Sequence, residues 1–351
     1  NELAYVTDCI STNWISSQGK YVNRFENMFS EYTHGNEAIA VSNGTVALHL
    51  ALAALGVGHG DEVIVPDFTF IASANAVEMV GARPVFVDIS EDLQINVVDC
   101  NRVLTDKTKA IMPVHLYGFA ANMDRVSDFA RENNLLVVED AAQALGISWN
   151  GKRCGSFGDT AAFSFFADKT LTTGEGGFVT TNNRDTYEKL QYLRNQGRID
   201  RGSFIHPEIG YNFRMNDIQM AIGLVQMNKF PKIVELKQRN HGIYCKLLES
   251  VDEVKILKPK EEISPFIPFR VVLITKNGPS KDLMDYMKEN KIEPRNFFYP
   301  LHEQPCFQIW KEDPRFDHLN FPNTIHAYEH GICLPSFAAL TEEQIIYVCD
   351  V

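Results

Sequence analysis

Seven short apolar runs, separated mostly by helical stretches, constrain this chain more than any other feature. They are Ala38–Val41, Glu62–Val65, Pro84–Val87, Ala110–Val114, Leu135–Val138, Ala161–Phe165 and Gly177–Thr181. Helical spacing covers Val46–Leu55, Ala72–Val80 and Met123–Asn133 between them. A strand that is apolar along its whole length is buried on both faces. Such strands alternating with helices make a mostly parallel sheet with helices on either side. The expected architecture is therefore α/β, with a mixed, mostly parallel seven-stranded sheet in a large domain. The loop between the last two runs is too short for a helical crossover, so these strands pair antiparallel or meet across a third.

Upstream of the sheet, Ala4–Ile10 is weakly helical and Ser11–Lys20 is a polar loop. Tyr21–Tyr32 has the spacing of an amphipathic helix, with Val22, Phe25, Met28 and Phe29 on one face. Beyond residue 182 the pattern turns helical, at Thr186–Asn195, Asp217–Met227 and Ile233–Leu248. Pro265–Leu273 and Cys306–Trp310 then flank a helix at Lys281–Lys288. The expected division is a large domain over 1–230, with an N-terminal segment 1–20, and a smaller α+β domain over 231–351. A chain of 351 residues can bury a deep core in the first and a modest one in the second.

Lys plus Arg is 33 and Asp plus Glu is 45, a net charge of −12, which argues against nucleic acid and anionic membranes as partners. No apolar run is long enough for a membrane helix. Seven cysteines are scattered with no C-x-x-C pair, against structural zinc and a disulfide framework. No metal is expected, and the expected location is a reducing one, the cytoplasm.

The chemistry concentrates in three places. In Ala161–Thr181 an apolar run ends near Lys169, a Thr/Gly segment follows, and a second β-type run resumes. A lysine there is either a solvated loop residue or an amine held near apolar surroundings. Desolvation would lower its pKa from about 10.4 and ready it for Schiff-base chemistry. Ser42-Asn43-Gly44-Thr45 joins a strand to a helix, which is either plain capping or an anion cradle of free N–H groups at the positive helix end. Gly56–Gly60 lacks dinucleotide spacing and reads as a helix stop and turn. Leu135–Val138 runs into Glu139 and Asp140, and ligands of open α/β sheets sit beyond the carboxyl ends of strands. Asp140 is either an N-cap or the partner of a cationic ring nitrogen. Pyridoxal 5′-phosphate needs a lysine for its aldehyde, a carboxylate for its pyridinium and a cradle for its phosphate. The chain offers all three on one sheet.

These stretches resemble the DegT/DnrJ/EryC1/StrS sugar aminotransferases, with the fold type I, aspartate-aminotransferase-like architecture. The resemblance spans Trp14–Lys20, Ser42–Thr45, Pro66–Ser73, Pro113–Gly118, Glu139–Gln143, Gly210–Met215 and Phe298–His302. It implies that Lys169 holds the cofactor as an imine and shuttles the proton, and that Asp140 pairs with the ring nitrogen. It also implies that Gln143 contacts the ring hydroxyl, Phe70 stacks on the ring, and Gly44, Thr45 and Ser164 bind the phosphate. Asn212 would reach the phosphate of a neighbouring subunit, making a homodimer with composite sites. Tyr299 and His302 would line the sugar pocket. Read from the residues alone, Phe70 is also a core candidate, Ser164 a backbone bonder and Asn212 a cap for the helix near Asp217.

The implied reaction is transamination from L-glutamate, yielding 2-oxoglutarate, to a nucleotide-linked 4-keto-6-deoxy sugar. Thr172–Gly177 resembles members acting at the sugar C4. GDP-4-keto-6-deoxymannose is the expected acceptor, and dTDP- or UDP-4-keto-6-deoxyglucose the alternative. Dehydrating members carry histidine in place of the lysine. A non-catalytic regulator would not need lysine, aspartate and phosphate loop together. Two departures stand out: Asp168 precedes the lysine where relatives have Asn, and Asn216 replaces a usual Thr or Ser.

Overall fold

The carboxyl ends of four parallel strands set the position of everything functional in this protein. The computed structural model describes residues 2–34, 36–199, 202 and 204–351. Helices α1 (Glu2–Ser11) and α2 (Lys20–Tyr32) lead into β1 (Glu37–Val41) and α3 (Gly44–Ala54). There follow β2 (Glu62–Pro66), α4 (Ala72–Met79), β3 (Arg83–Val87), the single turn α5 (Cys100–Val103), β4 (Thr108–Ile111), α6 (Met123–Glu132) and β5 (Leu136–Asp140). A small hairpin, β6 (Ser148–Trp149) with β7 (Lys152–Arg153), precedes β8 (Thr160–Ser164), β9 (Gly177–Thr181) and α7 (Arg184–Arg194). The remainder is α8 (Asp217–Leu247), β10 (Val254–Ile256), β11 (Val271–Thr275), α9 (Ser280–Glu289), β12 (Arg295–Asn296), α10 (Pro322–His330), β13 (Gly331–Leu334) and α11 (Glu342–Asp350). Short 3-10 helices lie between residues 301 and 320. Among the described residues, no helix is long and apolar enough to cross a membrane.

All seven expected strands form one sheet, ordered β1-β9-β8-β5-β4-β2-β3. β9 runs antiparallel to both its neighbours, β1 and β8; the other pairings are parallel. Phe165–Gly176 holds no helix, so the chain folds straight back from β8 to β9. Alternate residues serve two separate cores. Ile39, Val63, Phe86, Val138, Ala162 and Val179 face α3 and α4. Ala40, Ile64, Val85, Val137, Phe163 and Phe178 face α2 and α8.

Two strand ends differ from expectation. β4 stops at Ile111 rather than Val114. Pro113 has no N–H to extend the ladder, although Val114 still bridges to Asp140. β5 continues through Glu139 and Asp140. Glu139 is buried there because its carboxylate accepts from the N–H groups of Gly155, Phe157 and Gly158, each at 2.7 Å, and meets the His115 ring at 2.9 Å.

The two helices expected around Pro231 are one 31-residue helix, α8, with the proline inside it. Pro231 removes one hydrogen bond, but packing on both sides carries the helix through. Met220, Ala221, Leu224 and Phe230 belong to the core under the large sheet. Tyr244 and Leu248 belong to the core of the small lobe, with Val271, Leu273, Met284 and Ile332. The division expected at residue 230 thus falls within a continuous helix.

The small lobe is an antiparallel sheet ordered β10-β11-β13-β12. Only Val271 onward of Pro265–Leu273 is strand, and Cys306–Trp310 lies in a 3-10 helix begun by Pro305. Leu301, Phe307, Phe316 and Phe321 join the core on the α3 face of the large sheet, so residues 301–321 leave the small lobe altogether. The chain returns through α10, whose first turn is held on Asp88 by the N–H groups of Asn323 and Thr324.

Candidate active site

β1, β2, β5 and β8 end on the same edge of the sheet, and a cleft of about 630 Å³ opens there. Gly44, Thr45, Phe70, Asp140, Gln143, Ser164 and Lys169 all line it. Lys169 follows the end of β8 in a tight turn closed by its own N–H on the Phe166 carbonyl at 3.0 Å. Its ammonium nitrogen lies 4.9 Å from the centre of the Phe269 ring. Desolvation lowers its pKa and Arg270 adds to that, while the Asp168 and Asp140 carboxylates oppose it. Asp140 is near enough to act on this amine, as the two-residue site requires.

Asp140 is the last residue of β5 and is 6% exposed. One oxygen accepts from the Ser73 hydroxyl at 2.7 Å and the other from the Ala142 N–H at 3.1 Å. Both bonds fix the carboxylate and keep lone pairs free. Gln143 accepts from the Tyr117 N–H at 2.7 Å, which leaves its amide donors without a protein partner among the described residues. Tyr117 is itself at φ 58°, next to Gly118 at φ 99°. A Cβ on Gly118 would overlap the Ile267 carbonyl. That close approach lets the Phe269 N–H reach the Tyr117 carbonyl at 3.1 Å and brings the small lobe to the cleft.

The helix end has the form of an anion cradle. Asn43 caps α3 by accepting from the Val46 N–H at 3.0 Å. The N–H groups of Gly44 and Thr45, ahead of it, have no partner among the described residues. A Cβ on Gly44 would come within 2.7 Å of the Ser164 Cβ, so only glycine lets the end of β8 sit against this turn. Phe70 is 56% exposed at the rim, its ring 6.0 Å from that of Phe298. Phe298 in turn stacks on Tyr117 at 5.7 Å.

Three expected residues lie outside the cleft. Asn212 is exposed and bridges Asn195 through its backbone. It does not cap α8: Asn216 does, in a reciprocal capping box with Gln219, which Thr or Ser at that position would also form. Tyr299 packs edge-on against Tyr328 at 5.2 Å. His302 does not fit the sugar-pocket role, because it is buried and turned onto Asp67, with both its backbone N–H and its Nδ1 at 2.7 Å from that carboxylate. Conversely, Phe269, Arg270 and Arg295 line the cleft but carry no local signal, and Phe298 lines it from within the Phe298–His302 stretch. Ser73 sits inside the Pro66–Ser73 stretch, but its bond to Asp140 spans two strands.

A desolvated lysine, a fixed carboxylate and an open helix end in one cleft match the three needs of pyridoxal phosphate, and define the class: a pyridoxal-phosphate aminotransferase of α/β fold. The chain belongs to the DegT/DnrJ/EryC1/StrS aminotransferase family, whose model matches residues 1–351. It is 42% identical to GDP-perosamine synthase of Escherichia coli O157:H7 across 99% of this chain and 94% of that protein. It is 40% identical to GDP-perosamine synthase of Vibrio cholerae across 100% of this chain and 95% of that one. The putative sugar aminotransferase Spr1654 of Streptococcus pneumoniae, in its PLP form, superposes with a TM-score of 0.92 at 27% identity, covering 99% of this chain and 94% of its own.

Proposed function

We propose that the protein transfers an amino group from L-glutamate to C4 of a 4-keto-6-deoxy nucleotide sugar, converting GDP-4-keto-6-deoxymannose to GDP-perosamine. The observation that carries the amino transfer is the shared cleft of Lys169 and Asp140 beside the open end of α3. The choice of sugar rests on the likeness to proteins named GDP-perosamine synthase.

When bound, pyridoxal phosphate carries the amino group between the two substrates and delocalises the electron pair of the carbon that loses its proton. Asp140 would hold the ring nitrogen, and its bonds to Ser73 and Ala142 keep it aimed. The N–H groups of Gly44 and Thr45 and the Ser164 hydroxyl would hold the phosphate, Gln143 would donate to the ring oxygen, and Phe70 would cover the ring. The Lys169 amine, its pKa lowered by desolvation, would take the proton from one carbon and return it to another. Phe269, its ring centre 4.9 Å from that amine, would keep water from it, and Arg270 and Arg295 bring positive charge to the cleft wall.

Asn212 serves a second subunit in this reading, which explains an exposed residue in so typical a stretch. Mixed dimers of Lys169→Ala and Asn212→Ala chains should regain activity that neither parent shows. A cytoplasmic location accompanies the reading, supported by seven cysteines without a disulfide.

The test is incubation with pyridoxal phosphate, L-glutamate and GDP-, dTDP- and UDP-linked 4-keto-6-deoxy sugars, with products identified by mass and NMR. Amination of only the dTDP or UDP sugar would move the assignment to a viosamine-type enzyme. Ammonia release without an amino sugar would make it a dehydratase.

A further inference from the structure

Three metal-binding side chains converge where residues 301–321 cross the large sheet, apart from the cleft. His302 Nε2 lies 3.4 Å from His318 Nδ1, which lies 2.8 Å from Glu303 Oε1. The third edge, His302 Nε2 to Glu303 Oε1, is 4.0 Å. The nearest point equidistant from the three lies in their plane, about 2.0 Å from each, the bond length zinc makes with imidazole and carboxylate; a small rotation of the surface side chains of His318 and Glu303 would bring the spacings to the roughly 3.3 Å of a tetrahedral site.

The buried histidine is also prepared in the way metal ligands are. Asp67 is 0% exposed and takes the backbone N–H of His302 on one oxygen and Nδ1–H on the other, both at 2.7 Å. That fixes the tautomer and leaves the Nε2 lone pair facing His318 and Glu303. Phe321 stacks on the ring at 4.2 Å and sets its plane. The other two ligands stand at the surface, with side chains 55% and 33% exposed, so an ion can enter and a water can complete a tetrahedron.

We propose that His302 Nε2, His318 Nδ1 and Glu303 Oε1 bind a zinc ion, with Asp67 as the carboxylate behind the buried histidine. The ion would clamp the 301–321 excursion onto the end of β2, where the Leu301 N–H already meets the Asp67 carbonyl at 3.0 Å. Its role is structural, since Asp67 lies on the stretch leading to Phe70 but none of the three ligands lines the cleft. The cysteine spacing that argued against zinc is silent about a site of this composition.

The competing arrangement is a plain hydrogen-bond relay from Asp67 through both histidines to Glu303. Holoenzyme stripped with a chelator is titrated with zinc chloride against a fluorescent zinc indicator, beside the His318→Ala and Glu303→Gln variants. One tight equivalent is expected in the wild-type protein, weakened at least about tenfold in each variant, with a zinc-dependent rise in Tm that both variants lack. Cobalt(II) in place of zinc should give tetrahedral d–d bands in the wild-type protein and none in His318→Ala. Equal uptake by all three proteins would place the metal on cysteines or at the cofactor lysine and overturn the proposal. Failure of the wild-type protein to take up one equivalent would leave only the relay and overturn it too.

Discussion

The Asp168 carboxylate and the Arg270 guanidinium meet at 2.5 Å across the mouth of the cleft, one from the large lobe and one from the small. The residue before Lys169 is therefore a bridge between lobes. It also acts on the amine beside it: desolvation lowers the Lys169 pKa most and Arg270 adds to that, while Asp168 raises it. Asp168→Asn removes the raising charge and frees the lowering one. The Lys169 pKa should fall further, so more of the amine is neutral at a given pH. The acid limb of kcat/KM for the keto sugar should move to lower pH. An unchanged pH profile would show that the bridge does not tune the amine.

Lys169→Ala should lower turnover by more than about 10³-fold, the upper range of proton-transfer catalysis with the covalent attachment lost as well. Its side chain makes no hydrogen bond among the described residues, and truncation removes a desolvated cation. Thermal unfolding of the apo protein should accordingly stay close to wild type. Retained activity would remove the assignment of the site.

Ser73→Ala tests whether Asp140 must be aimed. A hydrogen bond to a charged group contributes about 1.5–3 kcal/mol, so cofactor affinity should weaken by about ten- to a hundredfold if the bond serves the bound state fully. The visible absorption band of the holoenzyme reads this directly. Unaltered affinity and spectrum would make Ser73 a packing residue only.

Gly44→Ala places a Cβ 2.7 Å from that of Ser164. The overlap should cost about 1–3 kcal/mol of stability and spoil the cradle, seen as a large rise in the dissociation constant for pyridoxal phosphate. Gly58→Ala is the control, since its Cβ would meet only the Val80 carbonyl at 3.6 Å.

Lys237 on α8 donates to the carbonyls of Phe269 and Ser336 at 3.2 and 3.1 Å, and burial, with Arg270 adding to it, holds its pKa at about 8. Unfolding returns it towards 10.5. Between these values the unfolded chain binds more protons, so stability rises with pH there; below about 8 the full penalty, on the order of 3 kcal/mol, is present. Lys237→Met should flatten the rise in apo-protein stability from pH 8 to 10.5 relative to wild type, as measured by denaturant midpoints. Parallel curves for the two proteins would refute the shift.

The large sheet was legible because each strand is a local apolar run, and the cleft residues Lys169, Asp140 and Gly44 were legible because each ends such a run. The small lobe was not. β12 has two residues and β10 three, too short for any periodicity, and Pro231 reads as a stop when only packing on both lobes overrides it. Arg270 and Phe269 enter the site through a close approach at Gly118, a contact between residues about 150 apart in the chain that no local pattern encodes. His302 misled for a related reason. The stretch that holds it is typical of the family, but the side chain faces Asp67, 235 residues away.

Three strands of covalent chain pass between the lobes: α8, the segment after β12, and the link from α10 into β13. Two of their anchors, Asp67 and Asp88, follow the adjacent strands β2 and β3, and the third lies in the core beneath the sheet. Three crossings of the chain leave the small lobe less freedom than a single linker would. The way to the amine then runs past the rim, where Phe70 stands exposed, and the Asp168–Arg270 pair joins the two walls beside it.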